Sequence, residues 1–267
     1  MNAGQKIVFF DVDGTIYEGG KGTPESTRRA LKRLKENGHI PVMCTGRPKA
    51  SLFPEVLELD FPALICGAGT YVEYEGRVLR NLLLPNPLLM QAVPRLEKAG
   101  CCVVLEGPEY LSCRMKEEDF TRFRILDRLR RDYPERLKPM ELLTDRISKL
   151  TAWILDAQAF DRLVPELLRS FEMARYEKFP YVEMMPKGVS KADGIRILLE
   201  ELDIPLSNTY AFGDGPNDLE MLQYVQYGTA MGNAEESVLR SAKYRTEGIW
   251  EDGVARALER YGLIGRI

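Results

Sequence analysis

Two carboxylates follow the first apolar segment of the chain, in the stretch FFDVDGT. Asp11 comes directly after the run Ile7–Phe10, which predicts a buried strand, and Asp13 follows two residues later. A carboxylate at the end of a buried strand loses hydration, so a cation or a substrate must compensate for that loss. The pair therefore indicates chemistry in which carboxylates bind a cation or react with a substrate.

More polar residues follow the later strands that the apolar pattern predicts. In open parallel sheets, ligands bind outside the carboxyl ends of the strands. The residues at these positions are Thr45, Gly46 and Arg47 after the second strand, Lys191 at a helix start, and Asp214, Asn217 and Asp218 after a later strand. Acids, a hydroxyl group, an amine and glycine turns together suit a phosphoryl group held against Mg²⁺, which prefers hard oxygen ligands.

The residue types in this set suggest a division of roles. Asp11 and Asp214 are the expected carboxylate ligands of Mg²⁺. Thr45 and Lys191 are expected to bind phosphate, the first as a hydrogen-bond donor and the second as a point charge that offsets the negative transition state. Gly46 leaves room for backbone N–H groups to approach the phosphate oxygens.

The elements that position these residues alternate between strand and helix through about the first 70 residues, a pattern that predicts a parallel sheet. The segment TYVEYEGRVLR then predicts an antiparallel hairpin that turns at Glu75-Gly76. Mixed strands and helices follow, including one helix over EEDFTRFRILDRLRRDY, before the first pattern resumes. We therefore predict an α/β fold with a Rossmann-like, doubly wound parallel sheet core from residues 1–82 and 184–267. An inserted α+β cap domain spans residues 83–183.

Composition and charge narrow the classes of partner. The 267 residues carry a formal net charge of -3, with lysine and arginine spread along the chain, which disfavours nucleic acid. No segment reaches the roughly 20 apolar residues of a membrane span and no signal-peptide pattern is present, so we predict a cytoplasmic protein without membrane contact. Five cysteines without a C-x-x-C pair disfavour disulfides and zinc. The single histidine, His39, offers little basis for a histidine-dependent mechanism.

Four segments in order, DVDGT, CTGRP, the lysine of GVSKADGI and GDGPNDLEML, resemble the four motifs of the haloacid dehalogenase superfamily. The insertion between the second and third segments resembles that of the Cof-type phosphatase branch. The segments AMGNAEESVL and EDGVARAL extend the resemblance nearly to the C-terminus. The resemblance therefore covers the predicted core, whereas the cap matches mainly in length and in its order of strands and helices.

The resemblance implies a role for each motif residue. Asp11 matches the nucleophile that takes the phosphoryl group, and Asp13 matches the general acid and base, whose main-chain carbonyl also binds the metal. The other matches are Thr45, Gly46, Lys191 and Asn217 at phosphate-binding positions, Asp214 at a metal ligand, and Asp218 and Arg47 at supporting positions, with Asn217 or Asp218 completing the metal site.

Three positions depart from the usual Cof-type pattern. Ala68 stands where asparagine is usual before Gly69, Ala192 replaces a glycine after Lys191, and Ile249-Trp250 replaces an asparagine before EDGV. None of these changes touches the nucleophile, the acid or the metal ligands. Trp250 is expected to be a core residue.

These observations predict a magnesium-dependent phosphatase that hydrolyses a small phosphorylated metabolite, such as a sugar phosphate, through an aspartyl-phosphate. The alternatives are a phosphosugar mutase of the same fold and a non-catalytic phosphometabolite-binding protein. The expected partner is a small molecule, and the protein is expected to be a monomer or a homodimer. Four cap residues are candidates for substrate contact: Tyr110, Arg114, Tyr181 and Glu183.

Overall fold

The structure is a computed structural model that describes residues 4–177 and 179–266. The first part of the chain forms β1 (Ile7–Phe10), α1 (Glu25–Glu36), β2 (Ile40–Cys44), α2 (Pro54–Leu57), β3 (Ala63–Cys66), β4 (Tyr71–Tyr74) and β5 (Arg77–Asn81). The middle part forms α3 (Asn86–Lys98), β6 (Cys101–Glu106), β7 (Leu111–Cys113), α4 (Glu117–Arg122), α5 (Arg124–Asp132), β8 (Leu137–Pro139), β9 (Lys149–Ile154), α6 (Ala157–Leu167), β10 (Phe171–Arg175) and β11 (Tyr181–Pro186). The last part forms α7 (Lys191–Leu202), β12 (Thr209–Gly213), α8 (Leu219–Tyr224), β13 (Tyr227–Ala230), α9 (Glu236–Ser241), β14 (Tyr244–Arg245) and α10 (Gly253–Arg260).

Within the described residues, eight strands form the first sheet in the order β14-β13-β12-β1-β2-β3-β4-β5. The pairs from β14 to β3 are parallel, and β4 and β5 add an antiparallel edge. Every residue of β1 is fully buried, and because side chains alternate along a strand, its two faces pack in different layers. Val8 and Phe10 pack with α1 and α10, whereas Ile7 and Phe9 pack with α7 and α8. The prediction of a Rossmann-like doubly wound α/β core is confirmed.

The hairpin of β4 and β5 turns where the sequence predicts it. Glu75 and Gly76 both have positive φ, 46° and 77°. Two-residue loops with positive φ at both positions match the right-handed twist of paired strands. The predicted antiparallel hairpin is therefore confirmed.

A second sheet of six strands, counted in the same described ranges, has the order β10-β11-β9-β6-β7-β8. Apolar residues of α3 and α6, among them Leu89, Val93 and Phe160, pack against one face together with Leu105 and Leu150. The predicted boundary between residues 183 and 184 falls inside β11. We therefore propose that the inserted cap ends after Pro186, with the core on both sides of it in sequence.

The prediction of a single helix over residues 117–133 is wrong in one respect, because Phe123 divides this segment into α4 and α5. Phe123 has extended backbone angles, φ -108° and ψ 94°. Its ring lies buried, with its centroid 5.7 Å from that of Trp153 in an edge-on arrangement. Packing of one aromatic side chain thus outweighs the helical pattern of the flanking residues.

The prediction that Trp250 is a core residue is also wrong. Its side chain is 44% exposed, and the indole Nε1 donates a hydrogen bond to the Glu18 carboxylate. The ammonium of Lys21 lies 5.6 Å from the centre of the ring. The buried residue of this short turn is the preceding Ile249, so the turn directs the tryptophan outward.

All five cysteines are free, four of them buried and Cys102 half-buried. Across residues 4–177 and 179–266, no helix combines the length and the apolar character needed to cross a membrane.

Candidate active site

The candidate site lies at the carboxyl ends of β1, β2 and β12. Asp11 directly follows β1, and its N–H donates to the Phe212 carbonyl of β12 at 3.0 Å. Thr45 directly follows β2, and its N–H donates to the Ile65 carbonyl of β3 at 2.8 Å. Both residues therefore continue the sheet hydrogen bonding by one step, which fixes their positions at its edge.

Lys191 enters the same place from the first residue of α7. The side chain of Ser190 caps this helix by accepting a hydrogen bond from the Asp193 N–H. The Lys191 side chain is fully buried, and its ammonium lies 2.6 Å from Asp11 Oδ1 and 2.6 Å from Asp218 Oδ1. Burial alone would lower the pKa of Lys191, but the charges of Asp11 and Asp218 outweigh it and raise the pKa. The lysine is therefore a fixed positive charge between two acids.

Carboxylate oxygens of Asp11, Asp214 and Asp218 lie within 4.8 Å of one another. Burial, followed by the charge of Asp218, raises the pKa of Asp11 well above its usual range. The same two causes raise the pKa of Asp214 to about 7. A hard divalent cation among these oxygens would offset the repulsion, so this donor set fits Mg²⁺.

The three acids are not equivalent as metal ligands. Asp218 Oδ2 accepts hydrogen bonds from the N–H groups of Asp214 and Gly215, at 2.9 and 3.0 Å, and Oδ1 accepts from Lys191. Both oxygens of Asp218 are thus committed to protein donors. This pattern favours Asp11 and Asp214 as the side-chain ligands, with Asp218 holding the loop that carries Asp214.

Close packing around Gly14 brings Asp214 to the main chain beside Asp13. Gly14 has φ +85°, and a Cβ atom there would lie 2.2 Å from Asp214 Oδ2. The Thr15 hydroxyl donates to Asp214 Oδ1 at 2.9 Å. Asn233, whose role was not predicted from the sequence, donates from Nδ2 to the Gly14 carbonyl at 2.8 Å. Its contact joins residues 219 positions apart, and the family resemblance of the surrounding segment AMGNAEESVL is the sequence signal that could have found it.

Asp13 lies beside this cluster but has a different partner. Its side chain is 55% exposed and forms a two-point pair with Arg47, Nε to Oδ2 at 2.7 Å and Nη2 to Oδ1 at 2.5 Å. The Arg47 guanidinium also lies 5.3 Å from the centre of the Tyr17 ring. Arg47 therefore orients Asp13 at the open side of the site.

The loops after β2 and β12 meet at Gly46. A Cβ atom there would lie 2.6 Å from Asn217 Nδ2, so any larger residue at this position would displace the Asn217 side chain. The Thr45 hydroxyl oxygen accepts a hydrogen bond from the Arg47 N–H at 3.1 Å. The structure thus brings together all nine residues that the sequence assigns to the site.

Of the four candidate cap residues, Glu183 reaches this site, accepting a hydrogen bond from Asn217 Nδ2 at 3.1 Å. Tyr181 belongs to an aromatic group of the cap, stacked on Trp153 with ring centres 6.2 Å apart. The other two candidates bond within the cap instead. Tyr110 bonds with Asp145 and the Arg146 N–H, and Arg114 pairs with Glu97. The alternation of side chains along a strand cannot tell which of these residues reach the site and which bond within the cap, because both faces of the cap sheet are covered.

A second cap residue, Lys149, also contacts the core and was missed from the sequence. Its ammonium donates to the Gly46 carbonyl at 2.9 Å and pairs with Glu183 at 3.0 Å. Lys149 is the first residue of β9, a strand whose residues are mostly buried. A lysine at the first position of a buried strand was the available signal, since such a charge needs partners.

Comparison with known proteins gives concordant results. A family model described as haloacid dehalogenase-like hydrolase matches residues 8–258. The putative phosphatase YkrA of Bacillus subtilis (strain 168) is 30% identical, over 97% of this chain and 98% of that protein. The 5-amino-6-(5-phospho-D-ribitylamino)uracil phosphatase YitU of the same organism is 27% identical, over 96% and 97%. Among solved structures, a hypothetical protein of Geobacillus kaustophilus HTA426 has TM-score 0.81 and 32% identity, covering 98% and 100% of the two chains. The subclass IIB sugar phosphatase BT4131 has TM-score 0.83 and 26% identity, covering 97% and 100%.

Proposed function

The chain belongs to the haloacid dehalogenase-like hydrolases, as its motifs predicted, and from this premise we propose that it is a magnesium-dependent phosphatase. Its substrate is a small phosphomonoester, and the reaction passes through an aspartyl-phosphate on Asp11. The observation that carries the proposal is the buried Asp11 carboxylate, held by Lys191 beside Asp214.

In the first half-reaction, a carboxylate oxygen of Asp11 attacks phosphorus, and the bond to the leaving oxygen breaks. Asp13 gives its proton to that oxygen and is left as a carboxylate. Lys191 offsets the negative charge that develops on the transferring group. Mg²⁺ bound by Asp11, Asp214 and the Asp13 carbonyl would reduce the repulsion between the two anions.

In the second half-reaction, Asp13 takes a proton from water, and the resulting hydroxide attacks phosphorus. Phosphate leaves and the Asp11 carboxylate is restored. Acid and base roles for one residue need a side chain that solvent and substrate can both reach, and the half-exposed Asp13 meets this need. Thr45, Gly46 and Asn217 complete the binding of the phosphoryl group.

The relatives support a small substrate. YitU is named as a phosphatase of a phosphorylated ribitylamino-uracil, and BT4131 is described as a sugar phosphatase. A panel of sugar phosphates, pyridoxal phosphate, flavin mononucleotide and that uracil compound tests the substrate class. Activation by a sugar bisphosphate would indicate a mutase instead. A cytoplasmic location and a monomeric or homodimeric state also stay predictions.

Asp11→Asn and Asp13→Asn together test the mechanism. Given p-nitrophenyl phosphate, whose leaving group needs no proton, Asp13→Asn should accumulate a phosphorylated protein, because it hydrolyses the intermediate slowly. Asp11→Asn should form none and release no phosphate. The exposed Asp203, at a left-handed position that asparagine tolerates, provides the control Asp203→Asn, which should behave as wild type.

The measurement is mass spectrometry of peptides after a rapid acid quench, which keeps an acyl phosphate intact. The label is expected on Asp11. A label on Asp13, on a serine or on His39 would overturn the mechanism. Absence of phosphate release from every substrate by wild-type protein would favour the non-catalytic alternative.

A further inference from the structure

The face of the cap sheet that looks toward the core carries a buried charged group. Glu106, Lys149 and Glu183 lie on the neighbouring strands β6, β9 and β11. The Lys149 side chain is 1% exposed, and its ammonium lies 3.2 Å from Glu106 Oε2 and 3.0 Å from Glu183 Oε1. The Thr151 hydroxyl also donates to Glu106. Burying three charges is costly, and apolar side chains of similar volume would stabilise such a sheet at least as well.

This group touches the core at two points, both in loops of the candidate site. Lys149 donates to the Gly46 carbonyl at 2.9 Å, and Glu183 accepts from Asn217 Nδ2 at 3.1 Å. Gly46 belongs to the loop after β2 and Asn217 to the loop after β12. We call Lys149 and Glu183 the cap clamp, because together they hold these two loops from one side.

The cap clamp fixes the orientation of one peptide group in particular. Lys149 holds the carbonyl of the peptide between Gly46 and Arg47, and the N–H of the same peptide donates to Thr45 Oγ1. With both ends of the peptide bonded, the Thr45 hydroxyl is an acceptor on that side and keeps its own proton for another partner. The phosphoryl group is the partner that the proposed function provides.

Glu183 acts in the same way on Asn217. An amide group can be turned by half a rotation, which exchanges its donor and its acceptor. Because a carboxylate only accepts, Glu183 requires the Asn217 nitrogen to face the cap and so sets the direction of the amide oxygen. Lys149 in turn pairs with Glu183, so the two residues hold each other in place.

We propose that Lys149 and Glu183 are positioning residues that order Gly46 and Asn217 for phosphate binding, so that the site is complete only with the cap seated on the core. The inference rests on the proposed function, since it assigns these loops to phosphate. Under this proposal the cap helps to bind the phosphoryl group, which all substrates have in common, and does not only select the leaving group.

This distinction decides the experiment, which compares two substrates. Acetyl phosphate is small, whereas p-nitrophenyl phosphate carries a ring that extends toward the cap. Loss of a positioning residue should lower kcat on both substrates by a similar factor, of roughly 10²-fold for misplacement by about 1 Å. Inorganic phosphate should also inhibit the variants more weakly than it inhibits wild type.

Lys149→Met keeps the side-chain stem but leaves two buried carboxylates without a cation, which threatens folding. The double variant Glu106→Gln with Lys149→Met keeps the net charge of the group and provides the second test. Glu183→Gln keeps an acceptor for Asn217 and should retain more activity than Glu183→Leu. Arg95→Met is the control, because it breaks a half-exposed ion pair with Glu166 between α3 and α6, on the face of the cap sheet away from the core contacts.

We expect near-equal losses on both substrates, partial rescue by Glu183→Gln, and wild-type activity in Arg95→Met. Wild-type kcat in the folded double variant would overturn the inference, as would a loss confined to p-nitrophenyl phosphate. If wild type releases no phosphate at all, the proposed function fails. Calorimetric binding of inorganic phosphate to wild type and to the double variant then still tests the positioning role, because weaker binding by the variant supports it and equal binding overturns it.

Discussion

One ammonium group, that of Lys191, serves two purposes in this molecule. It supplies the positive charge beside Asp11 and also separates the buried carboxylates of Asp11 and Asp218. Removing one partner of a buried ionic group is more damaging than replacing the whole group, because the remaining charges lose their compensation. Stability and catalysis should therefore both depend on this residue.

Replacing Lys191 with methionine should lower turnover by at least about 10²-fold, because the transition state loses its point charge. The same change should lower the free energy of unfolding by about 3–5 kcal/mol in the absence of a divalent cation. Single-turnover kinetics on folded protein and denaturant titrations measure the two effects. Lys187→Met, which removes a half-exposed pair with Glu172, is the matched control and should change neither by much. Unchanged turnover in Lys191→Met would remove the lysine from the site.

The site residues differ in how far the sequence could predict them. Asp11, Asp214 and Lys191 could be predicted because each directly follows a strand or begins a helix, where parallel sheets gather ligands. Lys149 could not, since its contact with Gly46 joins residues 103 positions apart, one in a strand of the cap sheet and the other in a loop of the core. A strand pattern gives the face of a residue but not what lies against that face.

At the scale of elements, the order of strands and helices was predictable because the core strands are apolar on both faces. The positions at which these elements break or end were less predictable. The predicted domain boundary falls inside β11, which pairs with β10 from Val182 to Pro186, a tertiary feature that no local pattern records. Phe123 likewise interrupts a helical pattern by packing against Trp153.

The hairpin of β4 and β5 offers a test of local backbone preference. Glu75 is exposed and has φ +46°, a conformation that asparagine adopts more readily than glutamate. Glu75→Asn should raise the free energy of unfolding by roughly 0.5–1 kcal/mol. Gly76→Ala is the opposite control, because φ is +77° and no atom outside the adjoining residues lies within 4 Å of the added Cβ, so only backbone strain acts. Denaturant titration should show the two variants shifted in opposite directions, and equal shifts would contradict the argument.

At the scale of the whole molecule, the cap is held to the core at a second place besides the cap clamp. Arg128 of α5 pairs with Glu55 of α2, and Arg136 donates to the carbonyls of Ala50 and Leu52. The ring of Phe53 stacks on Tyr133, with centres 5.3 Å apart. The cap thus contacts the core both at the site, through the cap clamp, and outside it. Mutations can therefore change either contact separately.

Cation binding should be visible in the stability of the whole protein, because a bound cation would offset the repulsion between Asp11 and Asp214. Mg²⁺ should raise the unfolding temperature of chelator-treated protein. The underlying gain in the free energy of unfolding reaches about 2.7 kcal/mol at a Mg²⁺ concentration 100 times the dissociation constant. Asp214→Asn should lose most of this shift, whereas Asp203→Asn should keep it. Thermal unfolding across a Mg²⁺ titration measures both.

Calcium separates binding of the cation from its use in the reaction. Ca²⁺ accepts more oxygen ligands in looser geometry than Mg²⁺ does, so it should stabilise the fold as well. It should nevertheless suppress phosphate release. If both oxygens of the Asp11 carboxylate bind Ca²⁺, no oxygen is left free to attack phosphorus. Release assays with each cation, run beside the unfolding scans on the same samples, test this pairing of effects. Full turnover in chelator, with removal of metal verified, would exclude a cation from the mechanism, and equal turnover with Ca²⁺ and Mg²⁺ would show that the geometry of the cation does not matter.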